Sequence, residues 1–354
     1  MNKEIIRLLE NPASFLAAGS VDGIAISSRI RLSRNLAALP FPIAGDSESA
    51  SQVIRAVSES CTASKTMGRR KSLFLKMDEL DELEKNFLLE RRLASNELLK
   101  SPVPSALAVS SDEKISVMVN EEDHLRIQVL NSGFALDTCW KKINTLDDEL
   151  ANSMEFAWSD ELGYLTECPT NVGTGMRASV MLHLPGLVMT DQIDSTIHGI
   201  RKLGLAVRGI YGEGSKNSGR LYQVSNQITL GESEESIIEQ LSAVIRQLIG
   251  YERRARRSLL DKDRFGLLDH VGRAFGMLQN SYKLSAEEAI EALSALRLGV
   301  DMGLFQYLSI ASVNELFLEL GQGHLQMRAG LALPEPEQDV LRAKLFRNKL
   351  RERK

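Results

Sequence analysis

The last change of hydrophobic period in this chain divides it. Between Ile24 and Leu230 short β-rich runs recur between polar turns, whereas from Ser233 onward only helical spacing is found. This order predicts an α+β unit with a largely antiparallel sheet flanked by helices, followed by an all-helical unit. An extended reading of Ile24–Leu36 puts Ile26, Ser28, Ile30 and Leu32 on one face and Arg29, Arg31 and Ser33 on the other. Two arginines then point the same way. Ala106–Ser110, Ile115–Val119 and Leu125–Leu130 read as a meander. Ala178–Leu184, Leu205–Ile210 and Arg220–Leu230 read as further strands, with a helix between Asp191 and Leu203.

The helical stretches follow from apolar residues three and four apart. Ile5, Ile6, Leu8 and Leu9 form a stripe that ends at Asn11-Pro12, residues 47–100 read as mostly helical up to Ser101-Pro102, and another helix begins at Leu146 and runs to about Phe156. The helix from Ser233 carries Ile237, Leu241, Val244 and Leu248 on one face and ends in the basic cluster Arg253, Arg254, Arg256 and Arg257. The expected boundary lies there, giving domains 1–252 and 253–354. Beyond it, helices are expected over Asp263–Asn280, Ser285–Arg297 and Ser312–Leu320, with a last one from about Glu337. Capping boxes pair Ser285 with Glu288 and Ser312 with Glu315.

Composition narrows the function. With 354 residues, 43% of them hydrophobic, the chain can bury a sizeable core and is not disordered. Its 43 Lys+Arg against 47 Asp+Glu leave a net charge of −4, so any anion binding has to be local. Cys61, Cys139 and Cys168 are too scattered for a disulfide framework and form no Cys-x-x-Cys pair, which fits a reducing cytosol. No run reaches the ~18 apolar residues of a membrane span, and the first residues lack a leader's apolar core. The expectation is a soluble, cytoplasmic protein without a membrane partner.

Three segments concentrate chemistry. Asn120-Glu121-Glu122-Asp123-His124-Leu125-Arg126 packs three carboxylates, an imidazole and a guanidinium beside a strand; if extended, it puts Glu122, His124 and Arg126 on one face. Cys168–Ala178 formally matches a dinucleotide-binding glycine pattern. However, Pro169 interrupts the strand that should lead into it and no amphipathic helix follows, so it reads as a turn placing Cys168 and Arg177 at one site. Arg208–Ser215 runs from a strand into a glycine-rich loop. Walker A, protein-kinase and zinc-protease signatures are absent.

Taken in order, Ser27-Ser28-Arg29-Ile30-Arg31, Asn120–Arg126, Cys168–Arg177 and Arg208–Glu213 resemble the phosphagen kinases, most closely their bacterial protein-arginine kinase branch. The resemblance covers roughly residues 20–250. Kinases of free creatine or arginine carry a helical domain of about 100 residues ahead of the first segment. Here that segment starts at Ser27 and the extra helices follow, so an open site for arginine on a protein surface is implied.

The resemblance implies a phosphagen-kinase-like catalytic domain using ATP and Mg2+, with the metal held mainly by nucleotide oxygens and water. It assigns Glu122 as guanidinium-binding acid and base, Cys168 as a reactive thiol that orients the guanidinium, and Glu213 as a second clamp. Nucleotide positions implied are Ser27, Ser28, Arg29, Ile30, Arg31, Arg92, Arg126, Arg177, Ala178, Ser179, Val180, Met181, Arg208, Gly209, Ile210, Tyr211, Gly212 and Glu213, while His124 is read as supporting its loop. Asp339 and Arg342 align with a regulatory phosphoarginine pocket. Also implied are a homodimer formed by the helical domain, an activator protein, Clp-type protease machinery, and a role in regulated degradation and stress response.

Three positions depart from the family pattern. Lys216 stands where an acid is usual, Arg92 replaces a nucleotide-contacting histidine, and Gln338 replaces an arginine of the regulatory motif. Lys216 and Gln338 motivate a second reading, a catalytically weak phosphoarginine- or nucleotide-binding scaffold; a free-guanidine kinase is a third. The basic tail after Arg342 reads as a solvated helix face rather than a nucleic-acid site.

Overall fold

The computed structural model describes residues 2–16, 23–209 and 218–351. Helix α1 (Lys3–Glu10) is capped by the Asn2 side chain and buries Ile5 and Leu8. Strand β1 (Ala25–Arg34) follows, then α2 (Ser47–Ala63), β2 (Leu73–Lys76), α3 (Glu82–Glu90) and α4 (Asn96–Leu99). The expected meander is β3 (Ala106–Val109), β4 (Ile115–Val119) and β5 (Leu125–Ser132). After it come α5 (Leu136–Ala151), a small hairpin of β6 (Trp158–Ser159) and β7 (Gly163–Tyr164), then β8 (Met176–His183), α6 (Pro185–Met189), α7 (Ile193–Lys202), β9 (Leu205–Gly209) and β10 (Leu221–Asn226). The rest is helical: α8 (Glu234–Lys262), α9 (Arg264–Asn280), α10 (Ala286–Asp301), α11 (Ile310–Glu319), α12 (Gln322–Ala329) and α13 (Glu335–Arg351).

Eight strands form one sheet in the order β2-β3-β4-β5-β1-β8-β10-β9, and every pairing is antiparallel. Alternation gives it two unlike faces. One is apolar: Ile30, Leu32, Ile127, Val129, Ala178 and Val180 pack with residues of α2, α5 and α8 in the main core. The opposite face is apolar toward β2, where Leu75, Leu107 and Met118 meet Phe87 and Leu88 of α3 and Met327 of α12, and again around Ile26, Leu130 and Leu221. Across its centre it is lined with arginine. A separate core of Leu293, Leu296, Leu316 and Phe346 holds the C-terminal helices together.

Several elements differ from the sequence expectation, each for a local reason. β2 lies inside the stretch read as helical; four residues are too few for a period to declare itself, and pairing with β3 decides the matter. α5 begins at Leu136 and ends at Ala151, because Leu136, Cys139 and Ile143 already lie at core spacing. The helix expected to end in the basic cluster runs on to Lys262: buried Arg256 pairs with Glu252 one turn back and with Asp301 of α10, so this charge does not break the helix. Ser309, not Ser312, caps α11, and Ser312 is its reciprocal partner. α12 was not expected at all. Ile26 leaves the Ile30 face and clusters with Phe15, Leu130 and Leu221, since the register of β1 on β8 shifts between Ala25 and Ser27.

Candidate active site

Strand register builds the site. Arg31 in β1 lies directly opposite Arg177 in β8, Ser33 lies opposite Arg126 in β5, Arg29 opposite Ser179, and Arg208 in β9 opposite Gln223 in β10. Cross-strand partners share a face, so the arginines of four strands project from the polar side of the sheet. Arg126 Nη1 donates to Ser33 Oγ at 2.7 Å and Arg29 Nη2 to Gln223 Oε1 at 3.2 Å. Arg92 joins them from the turn after α3; its φ of +62° is held by Gln128 Nε2, which donates to the Arg92 carbonyl at 2.7 Å.

Like charges opposite one another in a sheet repel. Burial, then Arg92, Arg126 and Arg177, push the Arg29 guanidinium down to about 9. Burial and then Arg29 and Arg126 push Arg31 in the same direction, with Glu121 opposing in both cases. Guanidinium nonetheless stays protonated at neutral pH, so the strain is carried as repulsion. The Nε atoms of Arg31 and Arg126 are buried without a hydrogen-bond partner. A polyphosphate fits this set: it offers both missing acceptors and the missing negative charge. Beside Arg29 and Arg92 a mostly apolar cavity opens, lined by Ser27, Ile26, Leu130, Ser179 and Met181 and closed by Phe317 and Leu318 of α11.

The acidic segment is not extended. Asn120 has φ +57° and its N–H donates to the His124 carbonyl at 3.0 Å, closing a turn between β4 and β5. Glu122, His124 and Arg126 therefore do not share a face. His124 is buried, accepts from the Leu36 N–H at Nδ1 (3.0 Å) and meets the Pro40 carbonyl at Nε2 (3.0 Å); burial lowers its pKa. It is a neutral brace for the chain leaving β1. Asp123 is buried too, and its Oδ1 accepts from Asn35 Nδ2 and from the Glu167 N–H, both at 2.7 Å. Glu122 is left exposed, its carboxyl raised first by partial desolvation and then by Glu121, with Arg126 opposing.

The Asp123–Glu167 bond draws the Glu122 turn to the Cys168 loop. Cys168 is half-buried with Sγ 3.1 Å from Thr170 Oγ1, whereas burial pushes Cys61 and Cys139 up to about 12 and makes them inert. Gly173 and Gly175 serve the turn: both have positive φ, and a Cβ on them would strike the backbone of Thr229 and Ser33. Neither forms a dinucleotide cradle.

Of the nucleotide positions implied by resemblance, Ser27, Arg29, Arg92, Ser179 and Met181 line the cavity, and electrostatics link Arg31, Arg126 and Arg177 to Arg29. Ser28, Ile30, Ala178 and Val180 alternate to the opposite face: the last three lie in the core, and Ser28 Oγ donates to the Gly133 carbonyl. Arg208 and Gly209 end β9. Ile210, Tyr211, Gly212, Glu213 and Lys216 lie outside the described residues. Asp339 and Arg342 bond to each other, and Arg342 also donates to the Leu320 and Leu284 carbonyls, so this guanidinium is buried inside the helical unit rather than offered to a phosphate. Gln338 is likewise buried, donating to the Leu333 carbonyl. Asn35, Asp123 and Glu121 escaped sequence reasoning as site-shaping residues; Asn35 and Asp123 are 88 positions apart, and no local pattern joins them. Among the described residues no group of three His, Cys, Asp or Glu forms a metal cage, and no helix is long and apolar enough to cross a membrane.

Two family profiles match this chain. Residues 52–255 match ATP:guanido phosphotransferase, C-terminal catalytic domain, and residues 264–354 match the Protein-arginine kinase McsB C-terminal domain. Among curated proteins, the protein-arginine kinase of Halothermothrix orenii is 44% identical over 92% of this chain and 93% of its own length. That of Bacillus subtilis is 44% identical over 94% and 91%. Among solved structures, a lombricine kinase superposes with a TM-score of 0.59 at 21% identity, covering 71% of each chain, which is a likeness of fold. A duplicated taurocyamine kinase from Schistosoma mansoni, carrying transition-state analogue components, gives 0.56 at 25% identity over 69% of this chain and 34% of its own.

Proposed function

The chain belongs to the ATP:guanido phosphotransferase family, and we propose that it is a protein-arginine kinase, transferring the γ-phosphoryl group of ATP to arginine side chains of other proteins. The observation that carries this reading is the opposed pair Arg31 and Arg177, with the orphaned Nε atoms of Arg31 and Arg126, on the sheet face beside the Glu122 turn. A triphosphate answers the arginines and their orphaned donors, and a guanidinium answers the Glu122 carboxylate.

Arginine is cationic with a pKa above 12, so it attacks phosphorus only when a base takes a proton while the planar group is held in line. Glu122 takes that proton as the guanidinium nitrogen bonds to the γ-phosphorus and the bond to the ADP oxygen breaks, leaving ADP and a P–N linkage. Its raised pKa keeps it basic enough for the transfer. Arg29, Arg31, Arg126 and Arg177 stabilise charge on the transferring oxygens, with Arg92 and Arg208 flanking them; positioning and electrostatics are most of phosphoryl-transfer catalysis. Mg2+ would be held mainly by nucleotide oxygens and water rather than by a protein cage, and would supply charge neutralisation there. Cys168 orients the guanidinium, and Glu213 is its second clamp.

We extend the reading to organisation. Residues 1–252 form the catalytic domain and 253–354 a helical domain for dimerisation, substrate choice and regulation. The setting is the cytoplasm, with an activator protein and a Clp-type protease using phosphoarginine as a mark in stress response. Control by phosphoarginine at Asp339 and Arg342 requires Arg342 to exchange carbonyl partners for phosphate.

The test is incubation with Mg-ATP and casein, followed by assay for acid-labile, alkali-stable phosphate. Wild type is expected to form it, and Glu122→Ala to lose at least ~100-fold in rate, the usual contribution of a general base. ATP binding without any such phosphate, with or without an activator, would replace the kinase by a nucleotide-binding scaffold; phosphate on free arginine alone would make it a free-guanidine kinase.

A further inference from the structure

The N-cap of α12 is Gly321, which has no side chain to cap the free N–H groups of the first turn. The cap comes from another element. Glu90, the last residue of α3, accepts from the Gly323 N–H at 2.7 Å, from the His324 N–H at 3.0 Å and from His324 Nδ1 at 2.9 Å. A carboxylate at a helix N-terminus also meets the positive end of its dipole. The fit is close: a Cβ on Gly323 would lie 2.8 Å from the Phe87 nitrogen, one on Gly321 would strike the Glu90 carboxylate, and the His324 ring lies tilted against Phe87 with centroids 4.5 Å apart. Gly-x-Gly here is the condition for docking α12 on α3.

This clasp stands at the edge of the candidate site. Glu90 lines the same cavity as Arg29 and Arg92, and Arg92 follows it by two residues in a left-handed conformation that arginine does not adopt without outside support. The clasp is also tied backwards. Arg342 of α13 donates to the Leu320 carbonyl, immediately before Gly321, so α13 pins the start of α12. Hydrogen bonds thus run from α13 to the start of α12 and from α12 to Glu90, two residues before Arg92 in the chain.

We propose that Glu90 is a positioning residue for the nucleotide: clasped by α12, it holds the Arg92 turn and the adjacent cavity wall in the geometry that receives ATP, making ATP affinity depend on the helical unit. The inference rests on reading this cavity and its arginines as the nucleotide site. It assigns α12 a task in catalysis that neither its composition nor its distance in sequence suggests.

The test compares Glu90→Ala, Glu90→Gln and Gly323→Ala with wild type, reading Mg-ATP affinity by titration and KM separately for ATP and for casein. Glu90→Ala is expected to weaken ATP roughly fivefold or more, a usual size for coupling between sites, while KM for casein stays within about twofold. Gly323→Ala, which wedges α12 off α3 but leaves Glu90 in place, is expected to do the same. Glu90→Gln keeps an acceptor and falls between; if Glu90→Ala does not fold, Gln and Gly323→Ala decide. Unchanged ATP affinity in folded Glu90→Ala, or equal rises in both KM values, overturns the proposal and reduces the clasp to structure. Loss in Glu90→Ala with none in Gly323→Ala also overturns it, since Glu90 would then touch nucleotide directly. Wild type that binds no ATP removes the nucleotide reading itself, an outcome separate from all of these.

Discussion

Arg31 and Arg34 lie on one strand, three residues apart, and face opposite ways into opposite circumstances. Arg34 is 1% exposed, and each of its three nitrogens has a partner: Nε and Nη2 bond Asp147, Nη1 donates to the Ser33 and Thr174 carbonyls, and the guanidinium lies 3.4 Å from the Tyr164 ring centre. Arg31 faces Arg177 across the sheet and has an Nε with no partner. The contrast extends to whole regions. Where the helical unit meets the end of β8, Arg297 bonds Asn314 and His183, and Arg256 bonds Glu252, Asp301 and the His183 carbonyl. His183 is held neutral by burial and by Arg297. These structural arginines find hydrogen-bond partners inside the chain, whereas Arg31 and Arg126 of the candidate site each keep a buried Nε without one.

The largest expected effect breaks the matched side. Asp147→Ala leaves the Arg34 guanidinium buried without its carboxylate and is expected to cost about 3–5 kcal/mol in urea unfolding. Arg31→Ala relieves repulsion and is expected to move stability by no more than about 1 kcal/mol either way. Equal losses from the two would erase the distinction.

A smaller effect sharpens the other side. Inorganic tripolyphosphate at a hundredfold excess over its Kd is expected to stabilise wild type by about 2.7 kcal/mol, since it binds only the folded arginine face. Arg126→Ala, measured at the same concentration, is expected to gain much less. Equal thermal shifts would mean that the polyanion sits elsewhere.

The smallest concerns pH. Glu122 acts as a base only when ionised, so activity falls as pH drops through its raised pKa. The negative charge of Glu121 contributes to that rise, and Glu121→Gln is therefore expected to move the acid limb of kcat/KM to lower pH. A limb that stays put or moves up would show that another group controls it.

The meander, the antiparallel sheet and the arginine face of β1 were legible because period-two alternation is a local property, read without knowing any neighbour. The same alternation separates Ser28 and Ile30 from the arginines beside them, whereas Ala178 and Val180 are placed on that face by the register of β8 on β1. Glu122 was legible by type and segment, but not the turn that presents it, because the Asn120–His124 bond and the Asp123 contacts with Asn35 and Glu167 are made only once distant loops meet. The end of α8 was misread since Arg256 finds Asp301 of α10, which no window around residue 256 contains.

By itself the sequence determined which residues could carry chemistry here and that Arg29, Arg31 and Ser33 would stand on one side of β1 with Ser28, Ile30 and Leu32 on the other, because side-chain type and backbone alternation are properties of the chain. Only the tertiary structure decided which arginines would be neutralised and which left wanting. That depends on strand register and on helix docking, which place Arg177 opposite Arg31, Asp147 against Arg34, and Glu90 at the start of α12, and a register is a relation between segments that neither segment holds alone.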